Sequence, residues 1–101
     1  MPAFPYPFNG NIERKITKDE LVQALLQDLG GELEAIFTYQ AHYLATDDKL
    51  AKKVLSSIRN EEIAHVGELI SLIEKLAPGS VEHFVDGRQE FKDMLKELGK
   101  S

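Results

Sequence analysis

Apolar residues recur along this chain at helical spacing, and in two places the spacing is kept while the residue type changes. Leu55, Glu62, Leu69 and Leu76 form one row of a long segment and Ile58, His65 and Leu72 the next. That pattern describes one helix seam, interrupted at Glu62 and His65. Upstream, Leu25, Glu32 and Tyr39 share a row, and Leu29, Ile36 and Tyr43 share its neighbour. A second long helix is therefore expected, with Glu32 as its interruption.

Local signals fix the ends of these helices. Thr17 followed by Glu20 makes a capping box, and Ile16 with Leu21 makes a hydrophobic staple, so the first helix starts at Thr17 and runs to about Ala45. Thr46-Asp47-Asp48 supplies a turn and an N-cap. The second helix runs from about Asp48 to Leu76 and stops at Ala77-Pro78-Gly79. Phe84, Phe91, Met94, Leu95 and Leu98 predict a shorter third helix from about Gly87 to Leu98, capped by Asp86 and closed by Gly99. Gly30-Gly31 falls inside the first helix at a cost of roughly 2 kcal/mol relative to alanine, which points to close backbone approach or a local π-bulge. Met1 to Lys15 holds three prolines among Phe4, Tyr6 and Phe8 and reads as extended, an arm over its own chain or onto a neighbour.

The expected fold is all-α: an arm over 1–16, an antiparallel helical hairpin over 17–77 and a short C-terminal helix over 78–101. Two helices of nearly thirty residues would stand roughly 40 Å tall, a slender hairpin with uncovered apolar rows. Two such hairpins pairing about a twofold axis into a four-helix bundle is the economical solution.

Composition narrows the chemistry. The 101 residues are 43% hydrophobic and 29% charged, which suits one small folded domain rather than disorder. There is no run of about twenty apolar residues, so no membrane span is expected. A formal charge of −5 argues against nucleic acid and anionic membranes as partners. The chain has no cysteine, which excludes disulfides, iron–sulfur clusters and thiol nucleophiles. Any metal must be held by oxygen and nitrogen. The N-terminus lacks a basic stretch and apolar core, so a cytoplasmic protein is expected.

A carboxylate desolvated in a helix seam needs a proton, an arginine or a metal. Glu32 lies fifteen residues before Asp47 and Glu62 fifteen after it, so antiparallel packing brings both to one level, with His65 one turn from Glu62. Twofold symmetry doubles these three into four glutamates and two histidines, the ligand set of a di-iron carboxylate site with two ions per pair of chains. This mixture of oxygen and nitrogen donors suits iron in both oxidation states. Fixing register with buried polar groups, or pairing the glutamates with a basic residue, is the competing structural reading. Glu61 with His65 is a competing ligand pair, but Glu61 falls off the seam. Asp28 and Glu68 lie about one turn from the ligands and either pass cations inward or are simply solvated.

The segment from Glu32 to Tyr39, with His42 following, resembles the first ligand helix of bacterioferritins and rubrerythrins. Asn60-Glu61-Glu62-Ile63-Ala64-His65 resembles their second. Only half of that fold is present, over about Thr17 to Leu76, and the half-length form is similar to the encapsulated ferritins. The resemblance implies that Glu32, Glu62 and His65 of each of two chains bind iron, with Glu62 bridging. It places Tyr39 beside the site as a hydrogen-bond donor or redox neighbour. The implied activity is that of a ferroxidase, oxidising Fe(II) with dioxygen and passing the product to a mineral store. Rings of dimers (a decamer) inside an encapsulin nanocompartment are implied as well.

Two positions depart from that pattern. Thr38 stands where encapsulated ferritins tend to have tryptophan, and Gly31 replaces an acidic residue of their metal-uptake site, leaving Glu34 as the uptake ligand. The sequence ends at Lys100-Ser101 without a Gly-Ser-Leu-type cargo tail, which counts against encapsulation unless the tail was cut away or the domain is fused or docked by another route. Two other functions fit the same residues. A rubrerythrin-like peroxide reductase would need a separate electron donor, and rapid peroxide loss with the reduced protein would identify it. A non-enzymatic helical dimer would bind zinc or manganese structurally or use its polar core residues only to choose its partner, and it would be excluded if Glu32→Ala and Glu62→Ala left dimerisation intact but abolished iron oxidation.

Overall fold

The computed structural model describes residues 12–100. Three helices follow one another, α1 (Lys18–Ala45), α2 (Lys49–Leu76) and α3 (Pro78–Glu97), and the described residues contain no strand. The aromatic arm with Phe4, Tyr6 and Phe8 lies outside the described residues.

The start of α1 forms as its sequence predicts. Thr17 Oγ1 accepts the Glu20 backbone N–H at 3.1 Å while the Glu20 carboxylate accepts the Thr17 backbone N–H at 2.9 Å. Arg14 closes on the same carboxylate with two hydrogen bonds, at 2.8 and 2.7 Å. Asp48 caps α2 by accepting the Ala51 backbone N–H at 2.8 Å, satisfying one of the donors that a helix start leaves free.

The third helix is longer than the sequence suggested. It begins at Pro78, nine residues before Gly87, and Asp86 lies inside it rather than at its cap. Proline at the first position of a helix gives up a backbone N–H that would be unpaired there in any case. The residue that ends α2 therefore also starts α3, with Ala77 as the single joint. At the far end Gly99 takes φ 71°, and Gly99 and Lys100 donate backbone N–H bonds to Lys96 O and Leu95 O at 2.9 and 2.8 Å. That is a Schellman close, made by the glycine expected to end the helix.

α1 packs along α2, whereas α3 touches only α2. The radius of gyration is 17.8 Å, against about 13 Å for a compact domain of this length. Leu25 and Ile73 are the buried hydrophobic residues, while Leu26, Leu33, Phe37, Leu44, Leu50, Val54, Ile63, Phe91, Met94 and Leu98 are exposed. Large apolar side chains on all three helices are left in water. Exposed apolar side chains in this number make a surface suited to contact with another chain.

α1 is an uninterrupted α-helix through Gly30-Gly31, so the π-bulge expectation is not met. A Cβ placed at either glycine meets nothing within 4 Å. Close approach within the chain does not explain them.

Candidate metal centre

Glu62 and His65, three residues apart on α2, project from one side of that helix. Glu32 comes to them from α1, running antiparallel. His65 Nδ1 lies 3.5 Å from Glu32 Oε2 and 3.5 Å from Glu62 Oε2. One ligand atom from each residue falls within 4.8 Å of the others, which makes this the one group of three such side chains able to hold a metal among the described residues.

These separations are too long for hydrogen bonds, which for N–H···O end near ~3.2 Å. They match donor atoms arranged around a shared ion instead: ligands about 2.1 Å from one centre stand roughly 3 to 3.5 Å apart. Glu32 Oε2 is shut off from water and has no hydrogen-bond partner. A carboxylate oxygen left in that state costs on the order of 1–3 kcal/mol or more, and a cation between it and His65 Nδ1 removes the deficit. The residues present fit iron chemically, with two carboxylates and an imidazole free of soft sulfur donors.

Glu62 and Glu32 keep 20% and 25% of their side-chain surface exposed, and His65 keeps 47%. The cluster is therefore covered by the hairpin on one side and open on the other. Tyr39 is half-buried two turns along α1 and makes no hydrogen bond with the three ligands among the described residues. Glu34 is exposed, about 160° around α1 from Glu32, with its carbonyl accepting from the Thr38 hydroxyl at 3.0 Å. Asp28, Glu61, Glu68, His42 and His83 are all exposed, and none of them joins the cluster.

A second polar group links the helices nearer the turn, one that helical periodicity does not reveal. Arg59 Nη1 donates to Gln40 Oε1 at 2.6 Å, and Lys52 Nζ donates to Tyr43 O at 2.7 Å. Both cations also lie over the Tyr43 ring, at 5.4 Å and 4.0 Å from its centroid. Lys52 lies about as far beyond Asp47 as Tyr43 lies before it, but Arg59 is twelve residues beyond Asp47 and Gln40 seven before it, so only the long Arg59 side chain closes that contact.

No protein-family model matches the chain. It is 33% identical over 86 residues to the encapsulin nanocompartment cargo protein EncC of Myxococcus xanthus, covering 85% of this chain and 66% of that protein. It is also 33% identical over 84 residues to a ferritin-like-encapsulin shell fusion protein of Pyrococcus furiosus, covering 83% of this chain and 24% of the fusion. The chain thus spans just under two thirds of the first relative and about a quarter of the second. Its fold superposes on the crystal structure of the encapsulated ferritin domain from Pyrococcus furiosus with a TM-score of 0.80 and 32% identity, over 91% of this chain and 94% of that one. Matched along nearly the full length of a solved domain, with helices in the same arrangement, this chain belongs to the encapsulated ferritins, a half-length ferritin-like family.

Proposed function

We propose that two copies of this chain pair across the open side of Glu32, Glu62 and His65 to form a ferroxidase site for two ferrous ions. The observation that carries the reading is the three-ligand cluster itself, with a Glu32 oxygen that has no hydrogen-bond partner inside and a half-exposed histidine at its edge. One chain supplies too few donors for two ions, and a twofold copy doubles them to four carboxylates and two imidazoles. Iron is substrate here. Oxidising two Fe(II) releases two electrons, the number that reduces one dioxygen with two protons to hydrogen peroxide.

Each side chain has a role in this reading. Glu32 and Glu62 neutralise and bring together two like-charged ions, with Glu62 as the bridging carboxylate. His65 is a neutral donor that keeps the charge of the site near balance. Tyr39, two turns from Glu32, borders the site on the pairing face as a hydrogen-bond or redox neighbour. Glu34, facing elsewhere in the single chain, is an uptake ligand only through contact with another copy.

Assembly beyond the dimer is part of the proposal. Leu26, Leu33, Phe37 and Leu44 share one stripe of α1, about 120° around the helix from Glu32, so pairing through the metal face leaves them in water. A second interface there yields rings of dimers. Relatives named as encapsulin cargo and as a shell fusion support enclosure in an encapsulin nanocompartment, where the oxidised iron is stored.

A native mass spectrum after anaerobic loading with Fe(II) tests the pairing: two irons per two chains are expected. Oxygen consumption by Glu32→Ala and Glu62→Ala then separates catalysis from structure. If both variants keep their assembly and lose iron oxidation, the site is catalytic. If they oxidise iron as the parent does, or the loaded parent carries no iron, the proposal fails.

A further inference from the structure

The ligands of the cluster sit on two helices, so their spacing depends on how far α1 slides along α2. Apolar packing alone fixes that poorly here. Leu25 and Ile73 are buried on the side of the site remote from the turn, and the remaining interhelical seam is only partly covered. Ligand positions, by contrast, must hold within about 0.5 Å.

Two hydrogen bonds join α1 to α2 among the described residues, and both lie on the turn side of the site. Arg59 Nη1 reaches Gln40 Oε1 at 2.6 Å, and Lys52 Nζ reaches Tyr43 O at 2.7 Å. The second places a cation on a carbonyl in the last turn of α1, where the helix dipole is negative. The Tyr43 ring lies beneath both cations, which restricts sliding as well as rotation. Arg59 is oriented in turn by its own bonds to Asn60 Oδ1, at 3.3 Å from Nε and 3.1 Å from Nη2. Arg59 precedes Glu62 by one turn of a rigid helix, and Gln40 follows Glu32 by two turns. A shift at this contact is therefore carried directly into the ligand separation.

We infer that Arg59 and Lys52, closing on Gln40 and Tyr43, are a register clasp that sets the distance of Glu32 from Glu62 and His65. Arg59 is thus a positioning residue for the metal centre, a role that rests on the metal reading above. It touches no ligand and acts through the helices that carry them.

Cobalt(II) is the probe, because its visible absorption reports ligand geometry without turnover. Arg59→Met and Gln40→Leu should each weaken cobalt binding about tenfold, as loss of outer-shell support typically does, and should change the band pattern. Gln40→Glu keeps an acceptor for Arg59 and should retain both affinity and spectrum. Circular dichroism monitors helix content; if Arg59→Met does not fold, Gln40→Leu, which removes only a neutral acceptor, carries the test. Parental cobalt affinity and spectrum in both folded variants would overturn the clasp while leaving the metal centre intact. An unmodified protein that binds no cobalt would overturn the metal centre, and the clasp's role with it.

Discussion

The hairpin has two apolar faces of different kinds. One carries Glu32, Glu62 and His65 among its hydrophobic neighbours, with a carboxylate oxygen that has no hydrogen-bond partner. The other is the α1 stripe of Leu26, Leu33, Phe37 and Leu44, whose side chains are half to three-quarters exposed and hold no ionisable member. A face with buried charge needs an ion or a partner of matched chemistry, whereas a plain apolar stripe needs only to leave water. On the function proposed above, the first would encode what is bound and the second how many copies gather. A single chain that carries both can separate chemistry from assembly, and substitutions should be able to remove one without the other.

The largest expected effect comes from charging the stripe. Leu33→Asp combined with Phe37→Asp places two carboxylates where apolar contact is proposed, at several kcal/mol if they are desolvated. That is on the order of a hundredfold or more in association at the second interface. Native mass spectrometry should show larger assemblies falling to dimers that still load two irons per pair. Loss of the dimer as well would mean that one interface uses both faces, and the contrast drawn above would collapse.

How much of this was legible in the sequence depends on the range of each signal. The caps at Thr17 and Asp48 act within three residues, and the seam positions of Glu32, Glu62 and His65 follow from helical period alone. Both caps form as the sequence suggested, and Glu32, Glu62 and His65 lie together, though His65 is half-exposed rather than covered. The start of α3 was misread because Pro78 was taken as a stop, although the same ring can occupy the first position of a new helix. The Arg59–Gln40 contact could not be read, since it requires the interhelical register to a fraction of a turn. Gly30-Gly31 stands out in the sequence, but the helix has no π-bulge there and no close approach within the chain explains either glycine, which leaves approach by a neighbouring copy open to test.

Those glycines offer an intermediate test. Gly30 belongs to the stripe, four residues after Leu26, whereas Gly31 lies about 100° further around α1. In a free helix either change to alanine would add about 0.5–1 kcal/mol. Gly31→Ala should show that gain as a rise of a few degrees in melting temperature. Gly30→Ala should instead weaken the larger assembly, because its methyl group enters the proposed contact. Equal stabilisation by both would mean that no neighbour approaches the stripe closely at Gly30.

The smallest effect belongs to a change that touches neither face. Hydrogen bonds from the Arg14 guanidinium, and then from the Thr17 backbone N–H, hold the Glu20 carboxyl at about 2, below its ordinary value of 4.5. A carboxylate whose folded-state value is depressed adds stability above its unfolded value and loses it as pH falls toward the folded one. The contribution of Glu20 is therefore present at neutral pH and declines between about 4.5 and about 2. The Arg14–Glu20 pair lies at the surface and is screened by solvent, so Glu20→Gln should lower the melting temperature only slightly at pH 7. The gap between parent and variant should narrow across that acid window, with assembly size and iron stoichiometry unchanged at neutral pH. A variant that alters either of those quantities at pH 7 would tie the start of α1 to one of the two faces, and the separation of chemistry from assembly would no longer be clean.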